Sequence, residues 1–81
     1  MHCLVYRSSR YPDMYLYLAE PPEDIELPQA VRERVGRLEF ALAFELTPER
    51  RLARADAARV LADIEGQGFY LQLPPSHYTG T

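Results

Sequence analysis

The chain has 81 residues and a net charge of −3 at pH 7, with an isoelectric point near 5.3. These values fit one domain with a single modest core, exclude a generally basic nucleic-acid footprint, and leave no DNA partner to expect. All 9 basic residues are arginine, so Schiff-base and P-loop chemistry that depends on lysine is excluded. Cys3 is the only cysteine, which rules out an intrachain disulfide and a paired-cysteine metal or redox site. No apolar run is long enough to span a membrane. Met1 to Arg7 lacks the basic-then-apolar layout of a secretory leader, so a cytoplasmic location is expected.

His2 to Arg7 reads as a first strand. Ser8 to Asp13 follows as a turn rich in Ser, Pro and Asp. Met14 to Ala19 is a second strand, antiparallel to the first across that turn. Its apolar side is Met14, Leu16 and Leu18; its other side carries Tyr15 and Tyr17. Glu20 to Leu27 is an acidic, proline-containing loop. Pro28 suits the first turn of a short helix, with Ala30, Val31 and Val35 as its stripe and Gly36 as its stop.

Leu38 to Leu46 carries conflicting signals. Ala, Leu and Glu favour helix by propensity, whereas Leu38, Phe40, Leu42, Phe44 and Leu46 recur at period two and favour strand. The pattern predicts a third strand whose opposite side, at Ala41 and Ala43, is small enough for a helix to pack closely. Thr47 to Arg54 is a polar connection. Asp56 predicts an N-cap, followed by a second helix over Ala57 to Glu65 with Ala57, Val60, Leu61 and Ile64 on one face.

Gly66 and Gly68 suit a helix stop. Phe69 to Leu73 alternates as a last strand, and Pro74 and Pro75 end its ladder. The predicted fold class is α/β (α+β): a compact single-domain sandwich of order β-β-α-β-α-β over residues 1–75, with a frayed tail at 76–81. In this reading the second helix covers the apolar sheet face of Met14, Leu16, Leu18, Leu38, Phe40, Leu42, Phe44, Leu46, Phe69, Leu71 and Leu73. The opposite face, with Tyr15, Tyr17, Tyr70 and Gln72, is either open or covered in part by another helix.

Several blocks in order give the chain a family likeness: Cys3-Leu4-Val5-Tyr6-Arg7-Ser8, Tyr15-Leu16-Tyr17, Arg51-Leu52-Ala53-Arg54-Ala55-Asp56 and Gly68-Phe69-Tyr70-Leu71-Gln72-Leu73-Pro74-Pro75. With them the chain resembles the YcgL domain family of small bacterial proteins. The resemblance implies a compact α/β sandwich and no settled biochemical activity. Its members are sometimes encoded beside a ribonuclease D gene, which points towards RNA metabolism. Many relatives carry a longer polar tail after the position of Pro75.

The candidate binding residues form two groups. Arg50, Arg51 and Arg54 share one connection, with Arg7 as a further contributor, and guanidiniums so placed can clamp phosphate or carboxylate. The plainer reading is a solvated loop with local ion pairs to Glu49 and Asp56. Tyr15, Tyr17, Tyr70 and Gln72 share a sheet face, and an open tyrosine face can stack single-stranded bases. The plainer reading has the rings packed under a helix with hydroxyls at the rim, and Glu39 and Glu45 would repel phosphate there.

No catalytic residue, metal site or cofactor is predicted. Cys3 lacks a histidine within reach, because His2 points to the opposite side of the strand and His77 lies in the tail. Glu20, Glu23, Asp24 and Glu26 do not match a calcium loop. Ser8 and Ser9 read as turn formers. The function expected is therefore a binding or adaptor module for a protein or RNA partner. The alternatives are a small enzyme acting on a phosphate-bearing substrate and a homodimer subunit paired through a strand edge.

Overall fold

A computed structural model describes residues 1–52 and 55–74. Four strands form one antiparallel sheet: β1 (His2–Ser8), β2 (Tyr15–Leu18), β3 (Leu38–Glu45) and β4 (Phe69–Gln72), in spatial order β3-β1-β2-β4. Helix α1 (Gln29–Val35) joins β2 to β3, preceded by a 3-10 turn at Pro22–Asp24, and α2 (Ala57–Gln67) joins β3 to β4. The predicted element order holds. The period-two pattern of Leu38 to Leu46 thus prevails over its helix propensity, because β1 offers a partner along its whole length.

A buried core cluster sits on each face of the sheet. β1 shows why: Cys3-Leu4-Val5-Tyr6 is apolar at consecutive positions, the mark of a strand covered on two sides. On one face, Cys3, Val5 and Tyr17 pack with Leu46 and with Ala57, Val60 and Ile64 of α2. On the other, Leu16, Leu18 and Phe69 pack with Leu27, Ile25 and Val31. This reverses the expectation for the second helix. α2 lies on the tyrosine-bearing face, and α1 with the segment before it covers the leucine face. The expected assignment followed the apolar sides of the second, third and fourth strands, whereas Cys3 and Val5 of β1 supply the apolar surface that α2 needs.

β3 also departs from its pattern. It pairs Leu42 with Val5 and Phe40 with Tyr6, with a bulge between Val5 and Tyr6 in the register. Ala41 is the extra residue. A one-residue insertion flips everything beyond it to the other side. Leu42 and Phe44 therefore share the face of Val5 and Cys3, while Leu38 and Phe40 share that of Tyr6. The period-two residues Leu38, Phe40, Leu42 and Phe44 of β3 therefore do not form one side. Ala41 and Ala43 are exposed, so no helix packs on them.

Local signals fix the element ends. α2 continues through Gly66 to Gln67 and is closed by Gly68 at φ 96°, whose N–H donates to the Ile64 carbonyl. Asp56 occupies the N-cap position, but its side chain makes no capping hydrogen bond; its backbone instead bridges to Arg51. The β1–β2 turn is tied to the end of α1. The buried Ser8 hydroxyl donates to the Val35 carbonyl at 2.6 Å and accepts from the Arg10 N–H at 3.0 Å. Ser9 and Arg37 exchange two further bonds, both at 2.8 Å. The Met1 ammonium donates to Glu45 at 2.8 Å, which holds that carboxyl below its usual range.

Candidate functional site

α2 covers only part of its sheet face. The rest is a groove of about 470 Å³ whose lining includes Val5, Arg7, Tyr15, Tyr17 and Gln72 from three strands, Leu42 and Phe44 from β3, and Arg50, Arg51 and Leu52 from the connection after it. The antiparallel register explains the convergence. Arg7 stands opposite Tyr15, and Tyr15 stands opposite Gln72. These side chains therefore share a face in a row across the sheet.

The connection is brought over this row by two features. The Arg50 N–H donates to the Thr47 carbonyl at 3.0 Å, closing a tight turn. Arg51 then forms an isolated antiparallel bridge with Asp56, which pinches the segment back towards the start of α2. The Arg50 guanidinium sits 4.5 Å from the centre of the Phe44 ring. Guanidinium and ring attract each other there, and the stack holds the arginine at the groove wall.

Charge inside the groove opposes that of the whole chain. Among the described residues, Arg7, Arg50 and Arg51 line it with one carboxylate, Asp13, on a chain of net charge −3. Arg7 also holds Glu39 at 3.2 Å, an exposed pair that contributes little to stability. Neither Arg50 nor Arg51 makes an ion pair with Glu49 or Asp56 among the described residues. Exposed guanidiniums not committed to carboxylates keep their planar donors for an incoming anion.

The tyrosines divide into different roles. Tyr17 is buried, meets Tyr70 edge-to-face at 5.6 Å between ring centres, and donates its hydroxyl to Gln72 Oε1 at 2.9 Å. Burial raises the Tyr17 pKa above its usual value, so the phenol stays a donor. Tyr70 packs in the core against α2 and is absent from the groove lining. An open platform of three tyrosines therefore does not form: Tyr17 and Gln72 make the floor, and Tyr15, half-buried, is the ring at the wall.

Of the residues singled out from sequence, the groove brings together Arg7, Arg50, Arg51, Tyr15, Tyr17 and Gln72. Arg54 lies outside the described residues, as does the tail from 75 onward. The lining also includes Asp13, Leu42 and Phe44, which the sequence did not single out. The signal for Phe44 is its place near the end of the strand that leads into the Arg50-Arg51 connection; that for Leu42 is hidden by the bulge. Cys3 is fully buried, and burial pushes its thiol up to about 11. It remains protonated at neutral pH and is a core residue. A second hollow, lined in part by Tyr6, Ile25, Leu27, Arg32 and Arg37, lies on the opposite face. No three His, Cys, Asp or Glu side chains converge into a metal-ligating group among the described residues, and no helix there is long and apolar enough to cross a membrane.

The model of the YcgL domain matches residues 3–75. A YcgL domain-containing protein of Thioalkalivibrio sulfidiphilus is 46% identical over 77 residues, 95% of each chain. Another from Xanthomonas euvesicatoria pv. vesicatoria is 50% identical over 74 residues, 91% of this chain and 86% of its own. A third, from Saccharophagus degradans, is 44% identical over 71 residues, 88% of this chain and 78% of its own. With the domain match spanning both sheet faces and both helices, the chain belongs to the YcgL domain family.

Proposed function

We propose that the protein is a binding module that holds a phosphate-bearing ligand in the groove beside α2, with single-stranded RNA as that ligand and the cytoplasm as its setting. The observation that carries this reading is the local reversal of charge: three arginines line one groove on an acidic chain. Guanidiniums bind phosphate oxygens in a bidentate manner, and Tyr15 beside them offers a ring to a base. The groove lining supports binding over catalysis. Among the described residues it contains no Ser, Cys or His and a single carboxylate, Asp13, so none of these places a nucleophile beside a base.

The test is titration of a labelled single-stranded RNA oligomer at increasing salt. Three phosphate contacts give a slope of log K against log salt of about −2, and Arg51→Ala lowers its magnitude by about 0.7. Arg50→Ala has the same effect. Absence of binding at low salt, or a slope untouched by both variants, overturns the proposal.

A further inference from the structure

The two edges of the sheet are unlike. β4 is four residues long and runs into Leu73 and Pro74, and proline blunts an edge. β3 is eight residues long, contains neither proline nor a basic residue, and ends the sheet on the other side. It carries Phe40 at 60% and Leu42 at 50% exposure, the two most exposed large apolar side chains among the described residues. We infer that β3 pairs antiparallel with β3 of a second copy of this chain, forming one continuous sheet across a two-fold axis.

The bulge makes the strand's self-complementarity specific. Residues opposite each other in antiparallel strands point to the same side. Through β1, Leu38, Phe40, Ala43 and Glu45 belong to the Tyr6 and Leu4 face, and Glu39, Leu42 and Phe44 to the Arg7 and Val5 face. Ala41 lines the groove and so belongs with the second set. Pairing Leu38 with the partner's Glu45, Glu39 with the partner's Phe44, Phe40 with the partner's Ala43 and Ala41 with the partner's Leu42 matches every pair by face. Sliding the register by one residue sets Phe40 against residues of the other face.

Size and charge fit in the same register. Each exposed large side chain meets an alanine: Phe40 over the partner's Ala43, Leu42 over the partner's Ala41. Glu39 lies across from the partner's Phe44, and within each chain Arg50 stacks on Phe44 at 4.5 Å. The Glu39 carboxylate is thereby carried to the partner's Arg50 while keeping Arg7 of its own chain. Two such contacts form by symmetry, as an isologous interface requires. The bulges lie opposite each other at the axis, so the flanks carry the ladder. Because the axis is normal to the sheet, both arginine grooves come to lie side by side on one face.

Sedimentation equilibrium from low micromolar to about 1 mM, where small interfaces associate, tests the pairing without any ligand. The expected mass rises with concentration to twice the 9.3 kDa of one chain. Phe40→Glu, at an exposed site, leaves the far-ultraviolet spectrum unchanged and weakens association roughly tenfold or more. Register is tested by Glu39→Arg and Arg50→Glu. Each variant alone repels itself across the seam and stays monomeric, and an equal mixture of the two regains the dimer mass. A chain that remains a monomer to 1 mM overturns the inference. So does a dimer indifferent to Phe40→Glu, or a mixture that fails to associate. RNA binding by a parent chain that stays monomeric would refute the pairing and leave the groove reading standing.

Discussion

Tyr17→Phe isolates one buried polar contact. Tyr17 and Gln72 are 8% and 7% exposed, and their hydroxyl-to-amide bond of 2.9 Å spans β2 and β4 under the edge of α2. The substitution keeps the ring and its edge-to-face contact with Tyr70. It removes only the donor, and Gln72 Oε1 is left buried without its partner. An orphaned buried acceptor costs about 1–3 kcal/mol, more than the net worth of the bond itself. Urea unfolding followed by circular dichroism should show a lower midpoint at unchanged slope, and the melting temperature should fall by at least about 4 °C. Gln72→Leu removes the orphan, so the double variant Tyr17→Phe with Gln72→Leu loses less than the sum of the two single losses, by about 1 kcal/mol. A Tyr17→Phe protein within about 0.5 kcal/mol of the parent, or strictly additive losses, would refute the reasoning.

Two glycines should respond in opposite ways. Gly36 has φ 68°, and a Cβ there would stand 2.5 Å from Arg10 Cγ and 2.8 Å from Cδ; Gly36→Ala should cost about 1–3 kcal/mol in a denaturant melt through strain and displacement of Arg10 from the Glu33 carbonyl. Gly66 lies within α2 with open space at its Cβ, so Gly66→Ala should stabilise by about 0.5–1 kcal/mol in the same assay. Cys3 should resist a thiol reagent in the native protein and react on unfolding. Its thiol pKa rises from 9.0 to about 11 on folding. Between those values the folded state holds the proton that the unfolded state releases, so stability should decline as pH rises through this window. A Cys3→Ala variant should lack that component of the alkaline loss.

The order of strands and helices was legible from local chemistry. Period-two alternation marked β2, β3 and β4, Gly36 and Gly68 marked helix ends, and Asp56 marked the start of α2. The arginine connection and the tyrosine-bearing face were visible as residue types. Their meeting was not, because Arg7 joins Arg50 and Arg51 only through the pairing of β1 with β3 and the turn beyond it. The same limit applied to the core. Which face α2 covers depends on the summed apolar surface of β1 and β2, and no single strand states that sum. The bulge at Ala41 depends on how β3 is accommodated beside β1, since a period-two run reads the same with or without an inserted residue. Local propensity and pattern therefore determined the elements and their ends. Long-range strand pairing alone decided which side chains share the groove, and why Phe40 and Leu42, neighbours in the pattern, stand on opposite sides of the sheet.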